Sequence, residues 1–108
     1  RKLRCLATGS NERLPQLPDV PTVAEQGFPG FEMTQWYGLL APATMAAASV
    51  DKLAVEAAKA IRSTGSKERL GADSAEAVGN TPAQFAAFIA QEQQRWKPVI
   101  QRAKVKPD

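Results

Sequence analysis

The apolar residues in the second half of the chain recur every three or four positions, as they do along one face of a helix. The first predicted helix begins at residue 46 or 49, and Gly65 marks its end. Its apolar face consists of Val50, Leu53, Ala54, Ala57 and Ile61. Residues 66–70 are predicted to add one or two helical turns. Residues 71–79 form a connector, in which residues 75–78 are a candidate edge strand.

The last predicted helix has the clearest start in the chain, the sequence TPAQ. Thr81 is the cap residue, Pro82 occupies the first helical position, and Gln84 completes a capping box. Pro98 is expected to kink the helix, because it has no amide for the carbonyl of Gln94. The predicted buried stripe consists of Phe85, Phe88, Ile89, Trp96, Val99 and Ile100.

The first half of the chain alternates apolar runs with proline and glycine, which predicts strands joined by rigid turns. Residues 3–8 are predicted to form a buried strand that ends in a turn at residues 9–11. Three prolines stiffen the loop at residues 11–21. Residues 32–41 carry apolar side chains on both faces, as a strand covered by helices does, and Pro42 closes this second strand.

A short helix is predicted between the loop and the second strand. Thr22 and Glu25 match a capping box, in which each side chain accepts a hydrogen bond from the other residue's amide. Gly27 is placed to end this helix in a left-handed conformation. Residues 28–31, with the sequence FPGF, are predicted to form a turn with two buried aromatic side chains.

The order strand, helix, strand, helix, helix indicates an α/β fold with few strands covered by helices. A chain of 108 residues fits one domain, and its apolar share of 44% is ordinary for a globular protein. No apolar run approaches the ~20 residues that span a bilayer, and no signal segment opens the chain. Because the chain starts without methionine on a strand-like run, RKLRCLATGS, we expect a processed chain, an excised domain or a fragment.

The residue types that usually carry catalysis are scarce. The chain has no histidine, the usual general base near neutral pH and the commonest zinc ligand. Cys5 is the only cysteine and lies in an apolar run, so we interpret it as a structural thiol. No glycine-rich phosphate loop occurs, and no carboxylate pair stands out. The sequence therefore predicts no catalytic residue, no metal site, no cofactor and no enzyme.

The charge pattern argues against nucleic-acid binding despite a net charge of +3. The Lys and Arg residues are mostly interleaved with acidic residues or glutamine, and no aromatic residue stands between basic ones as in a base-stacking platform. We interpret the charged residues as a mixed, solvated surface.

Five motifs are spread along the chain: the LPDVPTVAE loop and cap, the PGFE turn, the WYGLLAP strand, the TPAQFAAFI helix start and the RWKPVI helix end. Their combination resembles the C-terminal part of the Bug-type receptors, the extracytoplasmic solute-binding proteins of tripartite tricarboxylate transporters. Two positions depart from the family pattern. The sequence ATMAAA at residues 43–48 replaces a glycine-threonine-proline turn, and Lys104 stands where a helix-ending glycine is common.

The resemblance implies a type II periplasmic-binding-protein fold, a Venus flytrap of two α/β lobes that close on a small carboxylated solute. Residues 1–108 would be its C-terminal portion, mostly one lobe plus the hinge-proximal strand. The whole receptor would be periplasmic and would deliver its solute to membrane permease subunits. The glycine-rich carboxylate-binding loop of the family would lie outside this chain, so we expect the isolated chain to bind solute poorly and to associate with itself.

Four residues are the candidate ligand-binding residues. Thr8, Gly9 and Ser10 follow the first strand, and a turn with exposed amides can hold an anion, although a plain turn is the alternative. Trp36 lies near the strand end that faces the cleft in such lobes, although a core position is the alternative. Two hypotheses therefore stay open: a receptor fragment, or a small non-enzymatic protein-interaction module.

Overall fold

The computed structural model describes residues 3–105, and in this range it contains three helices: α1 at Ala47–Ile61, α2 at Thr64–Ala72 and α3 at Pro82–Ala103. The prediction of a helical second half is therefore confirmed. The chain divides into two compact units, Arg1–Leu40 and Ala41–Asp108. The first unit consists of turns and extended backbone, and the second contains the helices, with α1 in contact with both α2 and α3.

Helix α1 begins within the predicted window, but its inner face is rotated from the predicted one. The half-buried residues are Val50, Ala54, Ala57, Ala58 and Ile61. Leu53 is 49% exposed, so its assignment to the apolar face is wrong. The small side chain of Ala58 takes a place on that face instead.

The prediction that Gly65 ends the first helix is wrong, because Gly65 lies inside α2. Helix α1 ends earlier, where the amides of Arg62 and Ser63 donate to the carbonyls of Ala58 and Ala60 over 3.3 and 3.2 Å. The Ser63 hydroxyl also donates to Ala60 O over 2.7 Å. A hydroxyl that bonds the preceding turn competes with the helix ladder, which explains a break at this serine.

Helix α2 ends in a Schellman motif that occupies part of the predicted connector. The amide of Ala75 donates to Leu70 O over 2.8 Å, and that of Ser74 donates to Gly71 O over 3.1 Å. Ser74 has φ +55°, a conformation that usually requires glycine. Residues 75–78 take part in no strand in the described part of the chain, so the predicted edge strand is not formed.

The connector after α2 is held against α1 at Gly79. Arg62 Nη2 donates to the carbonyls of Val78 and Gly79 over 2.9 and 3.2 Å. Gly79 has φ +57°, and a Cβ there would lie 3.2 Å from Ala58 Cβ. Both its conformation and its close approach to Ala58 therefore require glycine.

The predicted start of α3 is confirmed. The Thr81 amide donates to Gln84 Oε1 over 2.9 Å, and the Gln84 amide donates to Thr81 Oγ1 over 3.2 Å, with Pro82 at the first helical position. The helix continues past Pro98 to Ala103. The kink that the sequence predicts at this proline stays a prediction.

Helix α3 ends at a left-handed residue that, like Ser74, is not glycine. Lys104 has φ +51°, and its amide donates to Gln101 O over 3.3 Å. The amide of Val105 donates to Ile100 O, also over 3.3 Å. These two bonds form another Schellman motif, with lysine in the position where glycine is usual.

The predicted buried stripe of α3 is only half-buried in its first part and is exposed at its end. Phe85 and Phe88 stack with ring centroids 6.3 Å apart. Ile89 and Trp96 are also half-buried. Val99 and Ile100, however, are 43% and 48% exposed.

The two strands predicted in the first unit are not formed. Within residues 3–105 the only β pairing is an isolated parallel bridge between Thr8 and Thr22. A strand needs a neighbouring backbone along its whole length for its amides and carbonyls, and residues 32–41 form no strand in the part of the chain that is described. The α/β prediction is thus supported in its helices and not in its sheet.

Residues 22–27 form the hydrogen bonds of the predicted capping box, but they form two turns instead of the predicted short helix. The two turns are closed by the amides of Gln26 and Gly27, which donate to Val23 O and Ala24 O over 3.1 and 3.4 Å. Gly27 has the expected positive φ, +102°.

The turn at residues 28–31 is confirmed, with Phe31 N donating to Phe28 O over 3.0 Å. Gly30 has φ +78° in this turn, as the third residue of a type II turn requires. Its two aromatic residues are not buried, because Phe28 is 63% exposed and Phe31 40%.

Candidate functional site

Three of the four predicted site residues form one turn whose first residue is buried. Thr8 donates its amide to Pro21 O over 2.9 Å and accepts from the Val23 amide over 2.9 Å. Thr8 is 9% exposed, and Thr22, its partner in the bridge, is 2% exposed. The turn at residues 8–10 is therefore anchored through backbone bonds on both sides of Thr22.

The hydroxyls of this turn are bonded to one another. Ser10 Oγ lies 2.6 Å from Glu12 O and 3.2 Å from Thr8 Oγ1. The Ser10 hydroxyl has one proton, and a carbonyl can only accept, so that proton goes to Glu12 O. The Thr8 hydroxyl then supplies the proton of the second bond. Any anion at this turn would therefore be held by backbone amides rather than by these hydroxyls.

Gly9 places the turn in backbone contact with the start of the extended segment, which we define as residues 32–41. The Met33 amide donates to Gly9 O over 2.8 Å. A Cβ on Gly9 would lie 2.7 Å from the carbonyl oxygen of Met33, closer than two such atoms approach. Glycine at this position is required by the approach of two backbones.

Trp36, the fourth predicted site residue, lies on the same extended segment. It follows Met33 by three residues, so its Cα lies at most about 11 Å from that of Met33. Trp36 is 43% exposed, which places it at the surface of the first unit rather than in a core. The structure thus joins Thr8, Gly9 and Ser10 directly and places Trp36 on the segment that Gly9 anchors.

An ion pair closes the loop that follows the turn. Arg13 Nε lies 3.1 and 3.0 Å from the two carboxylate oxygens of Glu25, and Nη2 donates to Oε1 over 3.0 Å. Arg13 Nη1 also donates to Pro18 O over 3.2 Å. The guanidinium therefore joins residues from both ends of the proline-rich loop.

Glu25 also forms hydrogen bonds with Thr22, one residue of the buried Thr8–Thr22 bridge. Its Oε2 accepts from the Thr22 amide over 2.7 Å, and its own amide donates to Thr22 Oγ1 over 3.2 Å, so the predicted capping box is confirmed. The hydrogen bonds from Arg13, and then the bond from the Thr22 amide, hold the pKa of the Glu25 carboxyl below its ordinary value of 4.5. The same contact raises the pKa of the Arg13 guanidinium.

Sequence reasoning found the local bonds of this site and missed its long-range pair. The three-residue spacing of Thr22 and Glu25 is a recognised pattern, whereas Arg13 precedes Glu25 by 12 residues with no periodic signal. Three prolines between Arg13 and Glu25 stiffen the loop that the ion pair closes. The capping-box pattern does not indicate which basic side chain pairs with Glu25.

A second polar cluster was also missed, on α3. Glu92 stands inside the apolar stripe and accepts from Trp96 Nε1 over 2.9 Å. The Arg95 guanidinium lies 5.7 Å from the centre of the Trp96 ring and 3.5 Å from Glu92. The spacing of four residues between a carboxylate and an indole predicts such a bond on a helix.

Across residues 3–105, no group of three or more His, Cys, Asp or Glu side chains is placed to hold a metal ion. None of the helices in this range has the length and apolar character of a membrane span.

Known proteins resemble this chain over nearly its whole length. The family model described as the tripartite tricarboxylate transporter family receptor matches residues 1–105. A protein from Pseudomonas sp. (strain P51), named the UPF0065 protein in the tcbD-tcbE intergenic region, is 37% identical over 93% of this chain. The protein BugT of Bordetella pertussis is 36% identical over 96% of this chain.

A solved structure shares the backbone path. The structure titled periplasmic binding protein BugD superposes on 94% of this chain with a TM-score of 0.78 and 32% sequence identity. The chain spans 30% and 32% of the length of the two relatives, and 35% of BugD. On the family match, the chain belongs to the receptor family of the tripartite tricarboxylate transporters.

Proposed function

We propose that this chain is part of an extracytoplasmic solute-binding receptor that captures a small carboxylated solute for a tripartite tricarboxylate-type transporter. The observation that carries the proposal is the match to BugD over 94% of the chain, a protein titled a periplasmic binding protein. The receptor would act in the periplasm and deliver its solute to membrane permease subunits.

In this proposal the chain supplies the C-terminal portion of the receptor, mostly one lobe plus the hinge-proximal strand. The share of BugD that the chain covers, 35%, supports a portion of this size. The extended backbone at residues 32–41 would become a sheet strand by pairing with segments of the receptor outside this chain. Pairing would also cover side chains that are now exposed, such as Tyr37 at 86% and Leu40 at 76%.

The proposed ligand contacts are Thr8, Gly9, Ser10 and Trp36. Within residues 3–105, the amides of Gly9 and Ser10 are donors in none of the backbone hydrogen bonds, which leaves them available to a carboxylate. Trp36 would offer its ring to the apolar part of the solute. The remaining contacts would come from the rest of the receptor, because such sites use convergent groups from both walls of a cleft.

One observation favours the second candidate, a small protein-interaction module. Apolar side chains near the end of the first unit are exposed, among them Leu39 at 75% and Leu40 at 76%. A contiguous apolar surface marks a site that another polypeptide covers. In the receptor proposal that polypeptide is the remainder of the same protein.

The test uses the receptor encoded by the reading frame that contains this chain. A thermal-shift screen with di- and tricarboxylates and acidic amino acids should raise the melting temperature with at least one acid. A ligand at a hundred times its Kd stabilises the folded state by about 2.7 kcal/mol. Absence of a shift with every carboxylate, together with recovery of a partner protein on the apolar surface, would favour the interaction module instead.

A further inference from the structure

The Thr8–Ser10 turn is linked to one ion pair through a short series of hydrogen bonds. Glu25 Oε2 accepts from the Thr22 amide over 2.7 Å, and Thr22 forms the bridge to Thr8. The next amide, Val23, donates to Thr8 O over 2.9 Å. The Glu25 carboxylate is therefore connected to Thr8 through Thr22 and Val23 alone.

Arg13 fixes the other side of the same turn. It follows Ser10 by three residues, so the position of its backbone sets the direction in which the chain leaves the turn. Its guanidinium makes three hydrogen bonds to Glu25 and one to Pro18 O. A planar guanidinium that meets both carboxylate oxygens restrains orientation as well as distance.

The exposure of the pair indicates a local role. The side chains of Arg13 and Glu25 are 47% and 45% exposed. Ion pairs at this exposure contribute little to global stability, because solvent screens them. Their bonds still join Arg13 and Pro18, which precede the buried residue Thr22, to Glu25, which follows it.

We propose that Arg13 and Glu25 are positioning residues that hold the Thr8–Ser10 turn in the conformation in which its amides are presented. Neither side chain needs to touch a ligand for this role. The consequence for solute affinity rests on the proposed receptor function, whereas the effect on the turn itself does not.

Amide hydrogen exchange measured by NMR on the 108-residue chain tests the positioning role. Arg13→Gln and Glu25→Gln should each speed exchange at Thr8 and Val23 by roughly tenfold, the factor expected for losing a hydrogen bond to a charged group. Exchange in the middle of α3 should stay within about twofold, which separates local loosening from global unfolding.

Two further variants sharpen the result. Arg13→Lys keeps the charge and loses the planar fork, so its exchange rates should fall between those of the wild type and Arg13→Gln. Lys59→Gln is the matched control, because it removes the same charge from the ion pair with Glu56 on α1, whose atoms are 2.8 Å apart. It should leave exchange at Thr8 and Val23 unchanged.

Unchanged exchange at Thr8 and Val23 in both Arg13→Gln and Glu25→Gln would overturn the positioning role. Equal acceleration throughout α3 would also overturn it, because the pair would then stabilise the whole chain. A parallel titration of the longer receptor with succinate tests the dependent claim: Arg13→Gln should weaken binding about tenfold and Lys59→Gln should not. If the wild-type receptor binds no carboxylate, the proposed function fails while the exchange result still decides the positioning role.

Discussion

At the scale of single residues, the best-buried groups are two threonines rather than apolar side chains. Thr8 and Thr22 are 9% and 2% exposed, and no apolar side chain among residues 3–105 is fully buried. The polar atoms of the two threonines are paired with the backbone, with Ser10 and with Glu25. Buried polar groups are stable only when they are paired in this way, so this bridge is sensitive to small changes.

Gly9→Ala should destabilise the chain by about 1–3 kcal/mol, because the new Cβ would lie 2.7 Å from Met33 O and neither backbone can move freely. Urea unfolding gives the free energy. Gly65→Ala is the control, since a Cβ there meets nothing within 4 Å inside α2. It should be neutral or stabilising by up to about 1 kcal/mol. Equal midpoints for Gly9→Ala and the wild type would contradict the close approach.

The ion pair predicts how stability depends on pH. The pKa of Glu25 in the folded chain is lower than its ordinary value of 4.5, so the folded state favours the charged carboxylate. This stabilisation is complete above about pH 4.5 and is lost as the pH falls through the folded pKa. The urea midpoint of the wild type should therefore be slightly higher than that of Glu25→Gln at neutral pH, and the difference should shrink as the pH falls below 4.5. A difference independent of pH would refute this assignment.

At the scale of elements, the sequence predicted the helix starts better than the helix ends. The TPAQ start of α3 depends on four adjacent residues, whose chemistry is sufficient for the cap. The ends at Ser74 and Lys104 use left-handed residues other than glycine, so the usual glycine signal is missing there. Gly65, which does carry that signal, lies inside α2.

Thr81→Ala should cost about 1 kcal/mol, the usual effect of losing a helix N-cap. The threonine hydroxyl accepts from the Gln84 amide over 3.2 Å, and alanine leaves that amide without this acceptor. Thr44→Ala, at an exposed residue outside the helices, is the matched control. Urea midpoints at constant slope give the comparison, and an unchanged midpoint for Thr81→Ala would count against the cap.

Lys104→Gly should stabilise the chain by up to about 1 kcal/mol, because glycine adopts φ +51° without the steric cost that lysine has. Ser74→Gly, at φ +55°, should behave in the same way at the end of α2. Lys52→Gly, in the middle of α1, should instead destabilise by about 1 kcal/mol. Thermal unfolding of the three variants distinguishes the two effects, and a loss of stability at positions 74 and 104 would contradict the left-handed conformation.

At the scale of the whole molecule, the sequence identified the family and overestimated the sheet. The motifs that resemble Bug-type receptors are local, so each can be recognised from a few adjacent residues. Strands depend on neighbouring backbones that local patterns do not supply. This is why residues 32–41 have a strand sequence and no strand partner in the described part of the chain.

The isolated chain should associate with itself. Tyr37, Leu39 and Leu40 are 86%, 75% and 76% exposed on the extended edge at residues 32–41, which forms no strand in the described part of the chain. Such an edge pairs readily with a second copy. Sedimentation at low micromolar concentration should detect dimers or larger species. A well-folded monomer that binds no hydrophobic dye would mean that the 108 residues are self-sufficient.

The most direct test of the central claim, that this chain is one portion of a carboxylate receptor, is a paired calorimetric titration. The chain and the longer receptor that contains it are titrated with the acid that gives the largest thermal shift. We expect micromolar binding by the receptor and no measurable binding by the chain, because the cleft needs groups from both walls. Micromolar binding by the chain alone would show that its own residues form a complete site.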